Sequence, residues 1–231
     1  FLPASLPQAD GWQLTASLDP AREMSGDFYD VITLPSGKLG ILIADVADKG
    51  VGPALYMALS RTLIRTFAAQ FENQPEKVFQ AAYVRIFQDA GVSLFVIAFY
   101  GMLEPDRGRF TYVNAGHNPP LLYRAADPHT PEHLARTGTA LGAMEDLTWK
   151  VRSSTLERGD TLILYTDGVT EAQNTENDLF GDKRLLEALC ACSALRAGEI
   201  HASILEAIRT FAGGAPQFDD ITLITIKRAL R

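Results

Sequence analysis

"GILIADVADKG", Gly40 to Gly50, decides how the rest of the chain is to be arranged. Ile41 to Ala44 form an uninterrupted apolar run of the kind a strand covered on both faces needs. Asp45 follows at once, and Asp48 and Lys49 precede a glycine-rich turn at Gly50 and Gly52. An unpaired carboxylate at the end of a buried strand costs on the order of several kcal/mol, so Asp45 needs a partner. Upstream, "DFYDVITL" and "KLGILIADV" read as two strands joined by the turn "PSGK", which brings Asp27 and Asp45 in on neighbouring strands. Downstream, from Pro53, the period changes: Leu55, Leu59, Leu63 and Phe67 recur every fourth residue, which predicts a helix with Arg61 and Arg65 on another face. The glycines read as the sharp turn between strand and helix. The lysine-serine/threonine signature of a nucleotide phosphate loop is absent, so they do not read as a phosphate cradle.

The same reading extends to both ends. "WQLTASLD" alternates like a strand, and "PEKVFQAAYVRIFQDA" predicts a second helix with Pro75 at its start and Val78, Phe79, Ala82, Ile86 and Phe87 on a wide apolar face. "LFVIAFYGML", "RFTYVNA", "PLLYR", "WKVRSSTL" and "DTLILYTDG" read as strands, and their short connections make them antiparallel. Helix is expected from about Lys183 to Phe211, broken near Gly198, and "DDITLITIKR" closes the chain as a strand. The polar residues Asp127 to Arg136 read as a surface loop. Strand runs interrupted by helix pairs predict α+β, with two packed, mainly antiparallel sheets flanked by helices.

With 231 residues, 47% of them hydrophobic and 21% charged, the chain can bury one large core, and residues 1–231 read as a single domain. No apolar run reaches the roughly 18 residues of a membrane span. A net charge of -7 without any basic block argues against nucleic acid or a membrane surface as partner and suits cations. Cys190 and Cys192 lie two apart in an expected helix, where they point in different directions and form neither a disulfide nor a metal pair. Such sparse thiol usage fits a reducing, cytoplasmic setting. The methionines read as core filler. The chain opens at Phe1 without a signal pattern, and "FLPASLP", residues 1–7, reads as the end of a linker from an upstream domain.

Aspartates stand at strand ends in "GDFYD" (Asp27, Asp30), "ADVADKG" (Asp45, Asp48), "YTDGVTE" (Asp167) and "FDDIT" (Asp219, Asp220). Any one of them is explained as a turn or cap. Several at sheet edges together would repel unless protonated or neutralised by cations, and oxygen donors without a matching His or Cys set select hard ions such as Mg²⁺ or Mn²⁺. Two such ions roughly 3.5–4 Å apart activate water and stabilise phosphoryl charge, which suits phosphate-ester hydrolysis.

"PAREMSGDFYD", "LGILIADVADKGVGPALYMALSRTLIR", "YVNAGHNPPLLYR", "ERGDTLILYTDGVTEAQN" followed by "LFG", and "FDDITLITIKR" together resemble the successive motifs of SpoIIE/RsbU-type bacterial serine/threonine phosphatases. These are a branch of the metal-dependent PPM, or PP2C-like, family. The match runs in order from about Leu6 to Arg228. The resemblance implies an α-β-β-α sandwich with a binuclear Mn²⁺ or Mg²⁺ centre. Asp45 would bridge both ions, Asp167 and Asp219 would complete one, and Asp27 with the backbone carbonyl of Val46 would serve the other. Asp220 is the alternative to Asp219, while Asp30 and Asp48 read as turn, capping or supporting groups. The implied reaction is direct attack by a metal-bridging water on phosphoserine or phosphothreonine. Arg22 matches a phosphate-binding arginine, with a surface salt bridge as the alternative. The wider family commonly has a histidine where this chain has Ala47, which leaves the leaving-group acid to a metal-bound water. His117 in "NAGHNPP" reads as part of a tight turn.

The resemblance also implies an output domain under sensory control, a phosphorylated STAS-domain anti-anti-sigma factor as substrate, and partner switching. It further implies a regulatory switch in the helix pair that follows Asp45, coupled to homodimerisation, with metal occupancy and activity low until those helices are repositioned. Competing readings are a non-catalytic phosphoprotein-binding module and a phosphatase for a small phosphorylated molecule.

Overall fold

The computed structural model describes residues 2–3, 5–48, 50–90, 94–143 and 147–230, without side chains at 87–90 and 128–130. Phe1, Lys49, Met144 and the Phe87 side chain therefore lie outside the described residues. In chain order the elements are β1 Trp12–Asp19, β2 Asp27–Thr33, β3 Leu39–Val46, α1 Val51–Gln70, α2 Pro75–Ala90, β4 Val96–Glu104, β5 Arg109–Ala115 and β6 Leu121–Arg124. There follow β7 Asp127–His133, β8 Arg152–Thr155, β9 Thr161–Tyr165, α3 Asp167–Thr170, α4 Gly181–Cys192, α5 Ala197–Ala212 and β10 Ile221–Arg228. The fold is α+β with two five-stranded sheets whose named strand pairs are all antiparallel. No helix among the described residues is long and apolar enough to cross a membrane.

The chain divides into two compact units, each built from separated segments. The first comprises Phe1–Pro7, Met24–His117 and Ala135–Thr155. Its sheet runs β2-β3-β4-β5-β8, with α1 packed on β2 and β3, and α2 on β4 and β5. The period of two in β2 and β3 assigns the faces. Phe28, Ile32, Leu42, Ala44 and Val46 join Ile64 of α1 and Val78, Phe79, Ala82 and Ile86 of α2 in one buried cluster. Asp27 and Asp45, offset by one residue from that set, fall on the face opposite the helices. Asp30 has the parity of Phe28 and points towards α1.

That parity explains a difference from the sequence expectation. The buried stripe of α1 is Pro53, Tyr56, Ser60, Ile64 and Ala68, while Leu55 is 67% exposed and Leu59 37%. Arg61 and Arg65, expected on another face, reach inward to the fully buried Asp30 at 3.0 and 2.8 Å. Leaving that carboxylate unpaired costs about 3–5 kcal/mol, so the ion pair helps hold this rotation of the helix, in which Leu63 and Phe67 still pack partly buried against the core. Asp30 is thus the buried anchor of α1, neither turn nor cap. Gly50, with φ 119°, makes the turn into α1, whereas Gly52 already lies inside the helix.

The second unit comprises Gln8–Glu23, Asn118–Leu134 and Leu156–Arg231. Its sheet runs β1-β10-β9-β6-β7. Here Ile163, Tyr165 and Leu223 pack with Leu185 and Leu189 of α4 and Ile200, Ile204 and Ile208 of α5. Two expectations are corrected in this unit. Residues Asp127–His133, read as a loop, form the edge strand β7 against β6, because a Pro-containing polar segment is tolerated where only one side is paired. The break between the last two helices falls at 193–196, and Gly198 sits in the first turn of α5. Cys190 is half-buried and Cys192 buried, both on α4. Of the methionines, Met102 is core and Met24 is 46% exposed, so only part of that set fills a core.

Candidate metal centre

In the first unit, the antiparallel register places Asp27 directly across from Asp45. Such cross-strand partners hold their Cβ atoms roughly 4.5–5.5 Å apart, and like charges in that position repel. Asp27 is 4% exposed and Asp45 is half-buried, so water screens this repulsion poorly. Gly26 explains how the pair is packed. A Cβ there would lie 2.9 Å from the Val46 carbonyl oxygen and 3.4 Å from Asp45 Oδ1. The Val46 carbonyl and an Asp45 carboxylate oxygen therefore converge over a bare Cα, and the Val46 amide donates to the Gly26 carbonyl at 3.3 Å. These donors are all oxygen, which fits a hard divalent cation and no soft one.

In the second unit, β9 and β10 are neighbours, with Tyr165 opposite Leu223. Asp167 follows β9 as the first residue of the single turn α3, and Asp219 and Asp220 precede β10. The strand ends are tied together: the Thr166 amide donates to the Thr222 carbonyl, and the Thr222 amide to Thr166 Oγ1, both at 3.1 Å. Gly168 permits the approach, since a Cβ on it would lie 1.9 Å from the Asp220 carbonyl oxygen. Asp220 is 7% exposed and its Oδ1 accepts the Ala21 amide at 2.7 Å, which fastens the segment after β1. Asp219 is the more open of the two acids, and its Oδ1 accepts the Asp220 amide at 2.8 Å. Among the described residues, no group of three or more His, Cys, Asp and Glu side chains forms a ready metal cage.

The remaining candidates separate clearly. Arg22 is exposed between β1 and β2 and makes no ion pair among the described residues. Asp48 is exposed with φ 76°, a turn conformation. His117 is fully buried, and its carbonyl accepts from Arg136 Nε at 3.2 Å, in keeping with a structural turn.

Sequence reasoning missed the close-approach glycines Gly26 and Gly168, although the dipeptides Gly26-Asp27 and Asp167-Gly168 carried that signal. It also missed His201 on α5. This residue is 5% exposed, its Nε2 lies 2.8 Å from Ser17 Oγ and its Nδ1 3.2 Å from Thr225 Oγ1. Burial pushes its pKa down to about 4, so it stays neutral at physiological pH. A concavity of about 1190 Å³ over β1, α4 and α5 is lined by none of the candidate acids. A smaller one of about 280 Å³ has Gly168 and Asp219 in its wall.

Residues 35–229 match the family described as Stage II sporulation protein E (SpoIIE). The chain is 35% identical over 254 residues to Protein IcfG of Synechocystis, covering 99% of this chain and 40% of IcfG. It is 31% identical over 232 residues to the phosphoserine phosphatase RsbU of Bacillus subtilis, covering 99% of this chain and 67% of RsbU. Among solved structures, the RsbU and RsbW domains of Rv1364c from Mycobacterium tuberculosis superpose with a TM-score of 0.82 at 26% identity, covering 99% of this chain and 63% of that one. The chain thus spans less than half of one of these relatives and about two thirds of the other two.

Proposed function

Because this chain belongs to the SpoIIE family, we propose that it is a metal-dependent protein phosphatase domain, hydrolysing phosphoserine or phosphothreonine on a partner protein. The observation that carries the proposal is the facing pair Asp27 and Asp45, with the Val46 carbonyl and an Asp45 oxygen meeting over Gly26. Two carboxylates in that position repel, and a cation lying with them removes the repulsion.

On this reading Asp27, Asp45 and the Val46 carbonyl, together with Asp167 and Asp219, hold two divalent ions, Mn²⁺ or Mg²⁺, with Asp220 as the alternative to Asp219. The ions would supply Lewis acidity that lowers the pKa of water and offsets charge on the phosphoryl oxygens. The chain's own residues contribute position. Gly26 and Gly168 let backbone close on each acid, and Asp30 with Arg61 and Arg65 holds β2 to α1. The exposed Arg22 guanidinium orients the substrate phosphate through paired N–H donors.

The two units act as one catalytic domain, the cytoplasmic output of a longer signalling protein, with a phosphorylated STAS-domain protein as substrate. Regulation runs through the helix pair α1 and α2, of which α1 follows β3 after only the residues 47–50. A shift of that helix, coupled to homodimerisation, would be felt at Asp45 and through Asp30 at Asp27.

The test is Mn²⁺-dependent dephosphorylation of phosphorylated STAS-domain proteins by the wild type, with Asp45→Asn and Asp167→Asn beside it. Each substitution is expected to lower kcat/KM by more than about 100-fold, since even supporting residues of metal sites cost 10–100-fold. Full activity in either variant would overturn the assignment.

A further inference from the structure

The 280 Å³ cavity beside Asp219 has no role in the reading above. Leu205, Ile208 and Ala212, successive along one face of α5, form its floor, and Ala172, Pro216 and Phe218 close it. It lies below the roughly 300–1,000 Å³ of sites for drug-sized ligands and suits a single side chain. Its lip is held in place: Gln217 Nε2 donates to the carbonyls of both Asp19 and Asp219 at 2.8 Å. Phe218 is 59% exposed at the mouth, and the next residue is Asp219 itself. If a cation at Asp219 holds the phosphate of a polypeptide, Phe218 next to it would meet that chain near the phosphorylated residue and bring neighbouring side chains to this opening.

We propose that this cavity is a substrate-recognition pocket that takes one large aliphatic or aromatic side chain of the phosphoprotein, a few residues from the phosphoserine. The inference rests on the phosphatase reading above. The pocket exposes carbon surface that burial of a leucine-sized group would remove from water, and it is walled by fixed backbone and α5, so little ordering cost is left to binding. Arg209 and Gln173 line the same cavity and would meet polar groups of the bound chain. Specificity would then come from a buried anchor next to the chemistry, as in interfaces whose affinity is concentrated in one well-packed pocket.

The test uses synthetic phosphoserine 11-mers of Ala, Gly and Ser carrying a single leucine moved from five residues before the phosphoserine to five after. Hydrolysis is measured with Mn²⁺, and binding by fluorescence anisotropy of labelled peptide to Asp167→Asn protein. One or two leucine registers are expected to raise kcat/KM and affinity about tenfold over the leucine-free peptide. Ala212→Trp, and in smaller degree Ala212→Leu, fill the pocket; each should erase the preference while hydrolysis of p-nitrophenyl phosphate stays at the wild-type rate. Absence of a preferred register, or a preference that survives both substitutions, overturns the pocket. Failure to hydrolyse any peptide or p-nitrophenyl phosphate overturns the phosphatase reading instead, and the anisotropy measurement still decides the pocket.

Discussion

At the residue scale, the acids that matter differ in what surrounds them. Asp30 looked like one more strand-end acid, but it is fully buried with Arg61 and Arg65 on its carboxylate. Removing it leaves Arg61, whose side chain is 16% exposed, without its counter-charge. Asp30→Ala is therefore expected to destabilise the protein by about 3–5 kcal/mol in urea unfolding, and Arg65→Ala, at a side chain 49% exposed, by much less. Gly168 makes the complementary point. Gly168→Ala drives a methyl group into the Asp220 carbonyl, backbone that cannot rotate away. We expect a loss of about 1–3 kcal/mol in thermal unfolding and a larger loss in phosphatase rate, because the segments forced apart carry Asp167 and Asp219.

At the element scale, α5 depends on a neutral histidine. His201 lies on its buried face with Ala197, Ile200, Ile204 and Ile208, its ring between Ser17 of β1 and Thr225 of β10. With a folded pKa of about 4 against 6.5 unfolded, the unfolded chain binds the extra proton between those values. The stabilisation is complete above about pH 6.5 and is lost as pH falls through 4, amounting to about 3 kcal/mol at most. His201→Gln cannot titrate, so its stability should fall less steeply than that of the wild type between pH 7 and pH 4.5. Parallel curves would remove His201 as the cause. Element types were largely legible from the sequence: the apolar run of β3 is buried throughout save Asp45, and Pro75 opens α2. The phase of α1 was only partly legible: Leu63 and Phe67 pack partly buried against the core while Leu55 is exposed, and the partner of Arg61 and Arg65 is Asp30 on β2, remote in sequence.

At the scale of the whole molecule, the proposed cations bear on stability as well as rate. If they bind the folded chain alone, Mn²⁺ at about 100 times its dissociation constant adds about 2.7 kcal/mol for one site. The melting temperature should rise with Mn²⁺, fall back with a chelator, and respond weakly in Asp45→Asn. A melting temperature indifferent to Mn²⁺ and Mg²⁺ would count against the metal assignment.

The sequence by itself determined the α+β class, the antiparallel pairing, most element positions and the family, since these follow from local period, short connections and motifs kept in order. It also marked Asp27, Asp45, Asp167 and Asp219 as a set. Only the tertiary structure decided that Asp27 and Asp45 face each other in register, that Asp30 is an anchor for α1, that Asp127–His133 is an edge strand, and that each compact unit is assembled from separated stretches of chain. The physical reason is that periodicity records which side of an element is apolar, whereas a charge's partner, and the backbone a glycine lets approach, come from residues far away in sequence.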